Sequence, residues 1–468
     1  MRGSFWGALL LAVSLAAGCG DDETPIAPDS PVDCSQTDGG VEGCEGEVDA
    51  EVPLPLPSAR SLIRPADPCP PHPPMEGEVI EVGPDAAARL SEIINGAAPG
   101  TTIALADGTY SLTEEIVITA PDVTVRGASG NRDAVILDLG YERGSVMGVR
   151  AANVRLIDMT LTRGYFHGVH VRPAPGAMQN VPRPVLYNLR VIDNAQQQIK
   201  INQENDIYID NGLVACSEVG LTDAGRAAVR NNCYTGGVDA HRTRGWHIRD
   251  NVFSGFWCDV GLSEHAVHFW QTTAATLIER NQFWDNARAI GLGMAEENET
   301  PREFDDLDCE AVGYVDDFHG IVVNNVIADL DPRPYQTGGG VEAGIALWNA
   351  CAAQVMHNTI VRNGDAFAGI DLRWGGTYAT VKNNLLTGEI VEREAGRVSA
   401  SGNAEMADLS VFTDAMNRDF RLAEGSMTAP QDVTATAHPD ATRDANGVSR
   451  PGRATPGAYE RPVAAMPE

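Results

Sequence analysis

The sequence predicts an all-β solenoid, on three observations. A five-residue pattern returns at 168–172, 198–202, 237–241, 266–270, 289–293, 344–348 and 369–373. In every copy the second and fourth residues are apolar, and a period of two puts them on one face of a strand. An Asn or Asp followed by apolar residues also recurs, as Asp158, Asn188, Asn211, Asn251, Asn281, Asn325, Asn358 and Asn384, at intervals of 23 to 44 residues. One unit repeated at such intervals marks stacked coils, each burying its apolar face against the next. The shortest interval is near one coil, so the longer ones hold inserted loops. Stacked Asn side chains can hydrogen-bond one above another at the bend, a structural role.

The elements follow in chain order. Met1-Arg2 is a short positive region, and 5–15 is an apolar run too short to span a bilayer as a mature helix. Ala16-Ala17-Gly18-Cys19 follows and resembles a bacterial lipoprotein signal. That resemblance implies removal of residues 1–18, lipidation of Cys19 and, with Gly20 next, export to the outer membrane or cell surface. The other reading is an ordinary secretory signal with Cys19 as a passenger. Membrane contact is expected through the lipid alone, and the chain is expected to be a monomer. Residues 19–74 are rich in Asp, Glu, Pro, Gly and Ser, which cannot bury enough apolar surface to offset ordering entropy. They read as a tether.

The folded domain is expected over 75–468. Val79–Val82 is a short strand, and Pro84-Asp85 opens a helix whose apolar stripe is Leu90, Ile93, Ile94 and Ala97. Gly96 and Pro99-Gly100 end it. Strands follow at 101–110 and 123–127. This helix, the run Pro-Gly-Thr-Thr-Ile-Ala-Leu-Ala-Asp-Gly-Thr-Tyr at 99–110 and the short strands resemble the entry of right-handed parallel β-helix proteins, the broad group of pectate lyases and chondroitinase-B-like lyases. The resemblance implies a single-stranded, right-handed parallel β-helix with the helix capping its open end, where strand edges would otherwise stand unpaired. The stretches at 236–246, 263–270 and 287–293 resemble exported bacterial β-helix proteins. A tail at about 405–460 resembles their closing segment and is expected to cover the last coil, with 462–468 fraying.

The formal net charge of −31 argues against a nucleic-acid partner, whose phosphates need Lys and Arg. It admits an acidic polysaccharide only at a locally basic site. After Cys19, eight cysteines remain: Cys34, Cys44, Cys69, Cys216, Cys233, Cys258, Cys309 and Cys351. An even number in an exported chain predicts disulfides, with Cys216–Cys233 the expected pair because it closes one long loop. None has the CxxC spacing of a zinc or redox site.

The third and fifth residues of each pentapeptide point outward. The first outward row is His170, Lys200, Asp239, His268, Gly291, Ala346 and Asp371; the second is Arg172, Asn202, His241, Trp270, Gly293, Trp348 and Arg373. Coils stack about 4.8 Å apart, so neighbours in a row are in contact range. A solenoid must put polar groups outside, so any one of them needs no function. Four titratable groups in three coils, beside Trp and Gly, weigh toward a carbohydrate cleft. Lys200, Asp239, His241 and His268 are the catalytic candidates. Trp270 and Trp348 would stack on sugar rings, and Arg172, Asn202 and Arg226 would hold substrate. Gly291 and Gly293 leave room at the backbone. The insertion 216–235 would wall one side. The acidic insertion 296–317 would wall the other or bind a cation, with calcium the candidate. Glu264-His265 beside His268 raises a metal reading. His-x-x-His on a strand and turn lacks the helical geometry of zinc motifs, so no metal ligand is assigned.

A uronate lyase needs a cation to neutralise the carboxylate and a base for the adjacent proton. The chondroitinase-B-like resemblance implies Lys and Arg in these roles, with calcium on nearby carboxylates, and offers Lys200 with Arg226 or Arg172. A glycoside hydrolase needs two carboxyls about 5–9.5 Å apart. Asp239 with Asp223 or Glu264 could supply them. Asp371 cannot, since four coils separate it from Asp239 by roughly 19 Å. The paired Asp, Gly-His-Gly and Arg-x-Lys patterns of polygalacturonases are absent. The remaining alternative is a non-catalytic surface lipoprotein that binds glycan or a protein partner.

Overall fold

The computed structural model describes residues 69–75, 77–230, 232–294, 296–297, 301–311, 313–424, 433–434, 438–450 and 452–460. The signal segment 1–18, Cys19, Cys34, Cys44, most of the tether and 462–468 lie outside the described residues.

Alternating short strands and turns wind the chain into a parallel β-helix. Each coil gives one strand to each of three parallel sheets, and every strand pairs with its counterpart one coil away. The seven pentapeptides stack in unbroken order, for example Val169↔Ile199, Ile199↔Val238, Val238↔Val267, Val267↔Ile290, Ile290↔Ile345 and Ile345↔Ile370 in the third sheet. Their second and fourth residues, from Val169 and Val171 to Ile370 and Leu372, are all 0% exposed. Period-two patterning therefore builds the core. Each buried Val, Ile, Leu or Phe contributes roughly 1.5–3 kcal/mol relative to exposure. Phe253 and Phe283 stack on adjacent coils with centroids 5.1 Å apart.

The N-terminal end is closed as the sequence predicts. The turn Pro84–Arg89 and helix Leu90–Asn95 bury Leu90 and Ile94, with Ile93 and Ala97 packed beside them. The helix also satisfies the exposed strand edge at Ile116–Ile118. Asn95 Nδ2 donates to the Val117 carbonyl at 2.8 Å, and Asn95 Oδ1 accepts from the Thr119 amide at 2.7 Å.

The Asn ladder is real but sits one residue away from part of its expected column. Asn251, Asn281, Asn325, Asn358, Asn384 and Asn403 each receive or pass an Nδ2-to-Oδ1 bond of 3.0 Å along the stack. Ser217 continues the column, its amide donating to Asn251 Oδ1 at 2.9 Å. Asp158 and Asn188 belong to the preceding column, where Asp250, Arg280, Asn324, His357 and Asn383 also take positive φ to make the bend. Asn211 lies before the strand Leu213–Ala215, in another turn.

Disulfide pairing differs from the expectation. Cys216 bonds Cys69 and Cys233 bonds Cys258, while Cys309 bonds Cys351. Proximity in sequence suggested Cys216–Cys233, but the coil carries Cys233 across to the neighbouring turn. Cys69 and its neighbours lie along the flank, where Arg126 donates to the Pro73 carbonyl at 3.0 Å. These three disulfides among the described residues place the protein in an oxidising, extracellular compartment.

The tail runs mainly along the second sheet instead of across the last coil. Residues 404 and 407 bond to the last coil. Beyond them Phe412, Phe420, Leu422 and Ala458 pack on Trp284, Val326, Ala328, Val361 and Leu385, the outward faces of successive second-sheet strands. Those apolar outward residues are what the tail covers. No helix among the described residues is long and apolar enough to cross a membrane.

Candidate functional site

Polar groups gather on the outer face of the third sheet. Lys200 lies opposite Asp239, Asp239 opposite His268, and His241 opposite Trp270. Two insertions leave from opposite edges of this sheet. The segment 221–237 precedes Val238–His241 and is clipped to the next coil by Cys233–Cys258. Beyond Ile290–Leu292 the chain has a second insertion, whose described residues 301–311 lie back over earlier coils. Its Arg302 makes a two-pronged pair with Asp210, at 2.8 and 2.7 Å, and its Asp306 pairs with Arg244. Both edges are thus walled.

The walls and neighbouring rings bury the first outward row. Lys200, Asp239 and His268 are 7%, 1% and 0% exposed. His170 at the start of that row and Arg172, Asn202, His241 and Trp270 of the second row remain half-buried.

Asp239 is the hub. Its Oδ2 accepts from Lys200 Nζ at 2.5 Å, and its Oδ1 accepts from Trp270 Nε1 at 2.8 Å and lies 3.2 Å from His241 Nε2. Lys200 Nζ also donates to His241 Nε2 at 2.8 Å. Burial pushes the Asp239 carboxyl up, but Lys200 and His241 outweigh it and hold it well below the usual range. Burial pulls Lys200 down, and Asp239 more than restores it, so the amine stays an ammonium. Burial and then Lys200 lower His241, leaving it a neutral imidazole. Lys200 is therefore a cation balanced by Asp239, and the base role expected of it is not what this geometry provides. Asp239 stays ionised, so it cannot serve as the protonated acid of a hydrolase.

One rung earlier, burial lowers His170 to about 4, and its Nε2 donates to Asn202 Oδ1 at 2.7 Å. The second row begins before the expected site. Arg150 precedes Arg172, and the Nε of Arg172 is buried without a hydrogen-bond partner.

Several expected positions lie elsewhere or face inward. Trp348 is 4% exposed and donates from Nε1 to Asp371 Oδ2 at 2.6 Å, with His265 and Trp374 against its ring. It offers no face to a sugar. Arg226 lies 3.6 Å from the Trp257 ring centre and donates to the Gly255 carbonyl at 2.8 Å. It lines a separate cavity of about 400 Å³ with Asp223, Asn232 and Asp259. Asp223 pairs with Arg226 and Arg333, so it is not the second carboxyl for Asp239. The room left by Gly291 is already filled, because a Cβ there would stand 2.8 Å from the His265 ring. At Gly293 a Cβ would stand 2.0 Å from the Trp348 carbonyl oxygen.

In the acidic insertion, Asp306 is engaged by Arg244, and Asp316 accepts from the Thr272 and Met294 amides. Among the described residues, the one trio of metal-ligating types whose donor atoms converge is Glu264, His265 and His268, within 4.8 Å of one another. The sequence raised this trio as a metal reading but assigned no ligand, since His265 lies one residue ahead of its pentapeptide, in the turn. Burial, then His268 and Arg288, lower it well below the ordinary value.

Solved structures share this architecture at low identity. Pectate lyase Pel9A superposes with a TM-score of 0.50 at 15% identity, over 82% of this chain and 97% of that one. An alginate lyase from Paenibacillus sp. str. FPU-7 gives 0.41 at 12% identity, over 70% and 99%. PfbA, a surface adhesin of Streptococcus pneumoniae, gives 0.39 at 12% identity, over 69% and 86%. No protein-family description matches the chain, and no curated protein does. The likeness to Pel9A establishes the pectate-lyase-like parallel β-helix, and a fold does not fix a reaction.

Proposed function

We propose that this is an extracellular carbohydrate-binding β-helix protein whose third sheet grips an anionic, uronate-containing polysaccharide. One observation carries the reading. On a chain of net charge −31, successive rungs carry Arg150, Arg172 and Lys200; Glu115 pairs with Arg150 and Asp239 with Lys200, while Arg172 has no ion pair among the described residues and its Nε is buried without a hydrogen-bond partner. The unpaired guanidinium of this strip, on an acidic protein, is a place for a carboxylate ligand. Trp270, half-buried at the end of the strip, supplies a ring for sugar contact. The lipid anchor at Cys19, a place on the outer membrane and a monomeric state belong to the same reading.

A polysaccharide lyase is the second reading, favoured by the Lys200–His241 contact. An ammonium beside a neutral imidazole supplies the acid and base that β-elimination needs, once a uronate takes over the Lys200 hydrogen bond. The base would take the proton beside the carboxylate, and the ammonium would return one to the leaving oxygen. A hydrolase is disfavoured by the ionised, triply engaged Asp239.

The test is titration calorimetry with polygalacturonate, alginate and a neutral glucan, paired with ultraviolet detection of unsaturated chain ends. The polyuronates should bind and the glucan should not. Affinity should fall as salt rises, and Arg172→Ala should weaken binding about tenfold. Equal affinity for the neutral glucan would overturn the proposal. Appearance of unsaturated ends would select the lyase.

A further inference from the structure

A second site lies one rung beyond the Lys200 cluster, and its argument is independent of the carbohydrate reading. Glu264, His265 and His268 come from one turn and the strand it enters. Their donor atoms lie within 4.8 Å of one another. A divalent ion with metal–ligand bonds of about 2.0–2.2 Å in tetrahedral geometry needs donors roughly 3.4 Å apart. Glu264 Oε2 and His268 Nδ1 already stand at 3.4 Å.

The hydrogen bonds around the trio are as informative as the distance. His268 Nε2 faces the Gly293 carbonyl at 3.3 Å, and a carbonyl can only accept, so Nε2 carries the proton. The lone pair of Nδ1 then points at the Glu264 carboxylate, and neither atom has a hydrogen-bond partner. Two acceptors facing each other in a buried place repel unless a proton or a metal ion lies between them. Both ring nitrogens of His265 are also buried without a partner, on a residue 1% exposed.

A carbonyl that orients one imidazole so that its other nitrogen can bind metal is the usual outer-shell arrangement. The rings are fixed before any ion arrives. His268 stacks on Trp270 with an interplanar angle of 1°, and His265 fills the space over Gly291. Arg288, the nearest cation on the next rung, is neutralised by Glu342.

We propose that Glu264, His265 and His268 bind one divalent transition ion of the zinc class. Two imidazoles and a carboxylate suit such an ion, whereas calcium takes six to eight oxygens. Three protein ligands leave a fourth position open.

The experiment uses the full chain, stripped with a chelator and dialysed, then titrated with Zn²⁺ and with Co²⁺. The expected result is one Zn²⁺ per chain with a dissociation constant below about 1 μM, a raised thermal midpoint, and a visible absorption band for the Co²⁺ form. Glu264→Gln, the least buried ligand, should weaken Zn²⁺ binding at least tenfold while leaving the metal-free thermal midpoint unchanged. His268→Asn should abolish the Co²⁺ band. Absence of stoichiometric Zn²⁺ binding would overturn the proposal. So would Zn²⁺ binding of unchanged affinity in both variants, which would place the ion elsewhere, or displacement of Zn²⁺ by equimolar Ca²⁺.

Discussion

The Asn ladder and the third-sheet cluster are both rows of buried polar side chains, and they differ in two respects. The ladder repeats one residue type, and each Asn bonds the next through the same 3.0 Å contact while also bonding backbone. The cluster changes residue at every rung, from His170 to Lys200, Asp239 and His268, and leaves nitrogens and a carboxylate oxygen unpartnered at its far end. Repetition with every group satisfied is what a coil needs to turn its corner. Variation with groups left unsatisfied costs stability with no structural return. A solenoid thus separates polar groups that build it from polar groups it carries.

That contrast can be broken most forcefully at Asp239. Asp239→Ala leaves Lys200 buried without its counter-charge and should cost about 3–5 kcal/mol, read as a lowered thermal midpoint. The double variant Lys200→Met, Asp239→Leu should recover most of that stability while polyuronate binding stays lost. A double variant as unstable as the single one would mean the pair is structural, like the ladder.

Asp317 tests burial without either device. Its carboxyl is fully buried, accepts a hydrogen bond from Thr273 Oγ1 at 2.8 Å, and is pushed up to about 7 by desolvation. A raised folded-state value means its stability contribution is complete below about 4, near the unfolded value, and is lost as pH rises through about 7. Over that span the loss is on the order of 2–4 kcal/mol. Asp317→Asn should flatten the decline of thermal midpoint between pH 4 and about 8.

Asn281→Ala comes next in size. It removes bonds to Asn325 and the Ile248 carbonyl and strips Asn251 of its acceptor, at a cost of about 2–3 kcal/mol. Glycan affinity should not change. The smallest effect separates the two tryptophans. Trp270→Ala should weaken polyuronate binding severalfold, and Trp348→Phe should leave it unaltered, because Trp348 is covered. Calorimetry on both variants checks this.

The coil was legible because its signal is local and periodic. Alternation within 168–172 or 344–348 decides which side chains go in, and the strands stack as that alternation requires. The state of the outward side chains was not legible, because it depends on what insertions such as 221–237 and 293–316 do after leaving the sheet. Those loops have no period. Hence Lys200 and His268 were expected in an open groove and lie buried, and Trp348 was expected to meet sugar and meets Asp371. The disulfides failed for a related reason, since pairing is set by which turns the stack brings together. Cys69 reaches Cys216 across 147 residues of sequence. The ladder was misaligned where Ser217 stands in its column, a residue whose hydroxyl can serve but whose type breaks the pattern.

The His265 ring resting over Gly291 binds two distant places in the sequence to each other. A methyl group at 291 would evict the imidazole, and loss of the imidazole would uncover a hollow beside Trp348. The pair can change only in concert, so descendants and cousins of this chain should keep both or neither. A histidine just ahead of one pentapeptide, matched by glycine at the middle of the next, is therefore a signature by which the same pocket can be sought in other coiled β proteins from their letters alone.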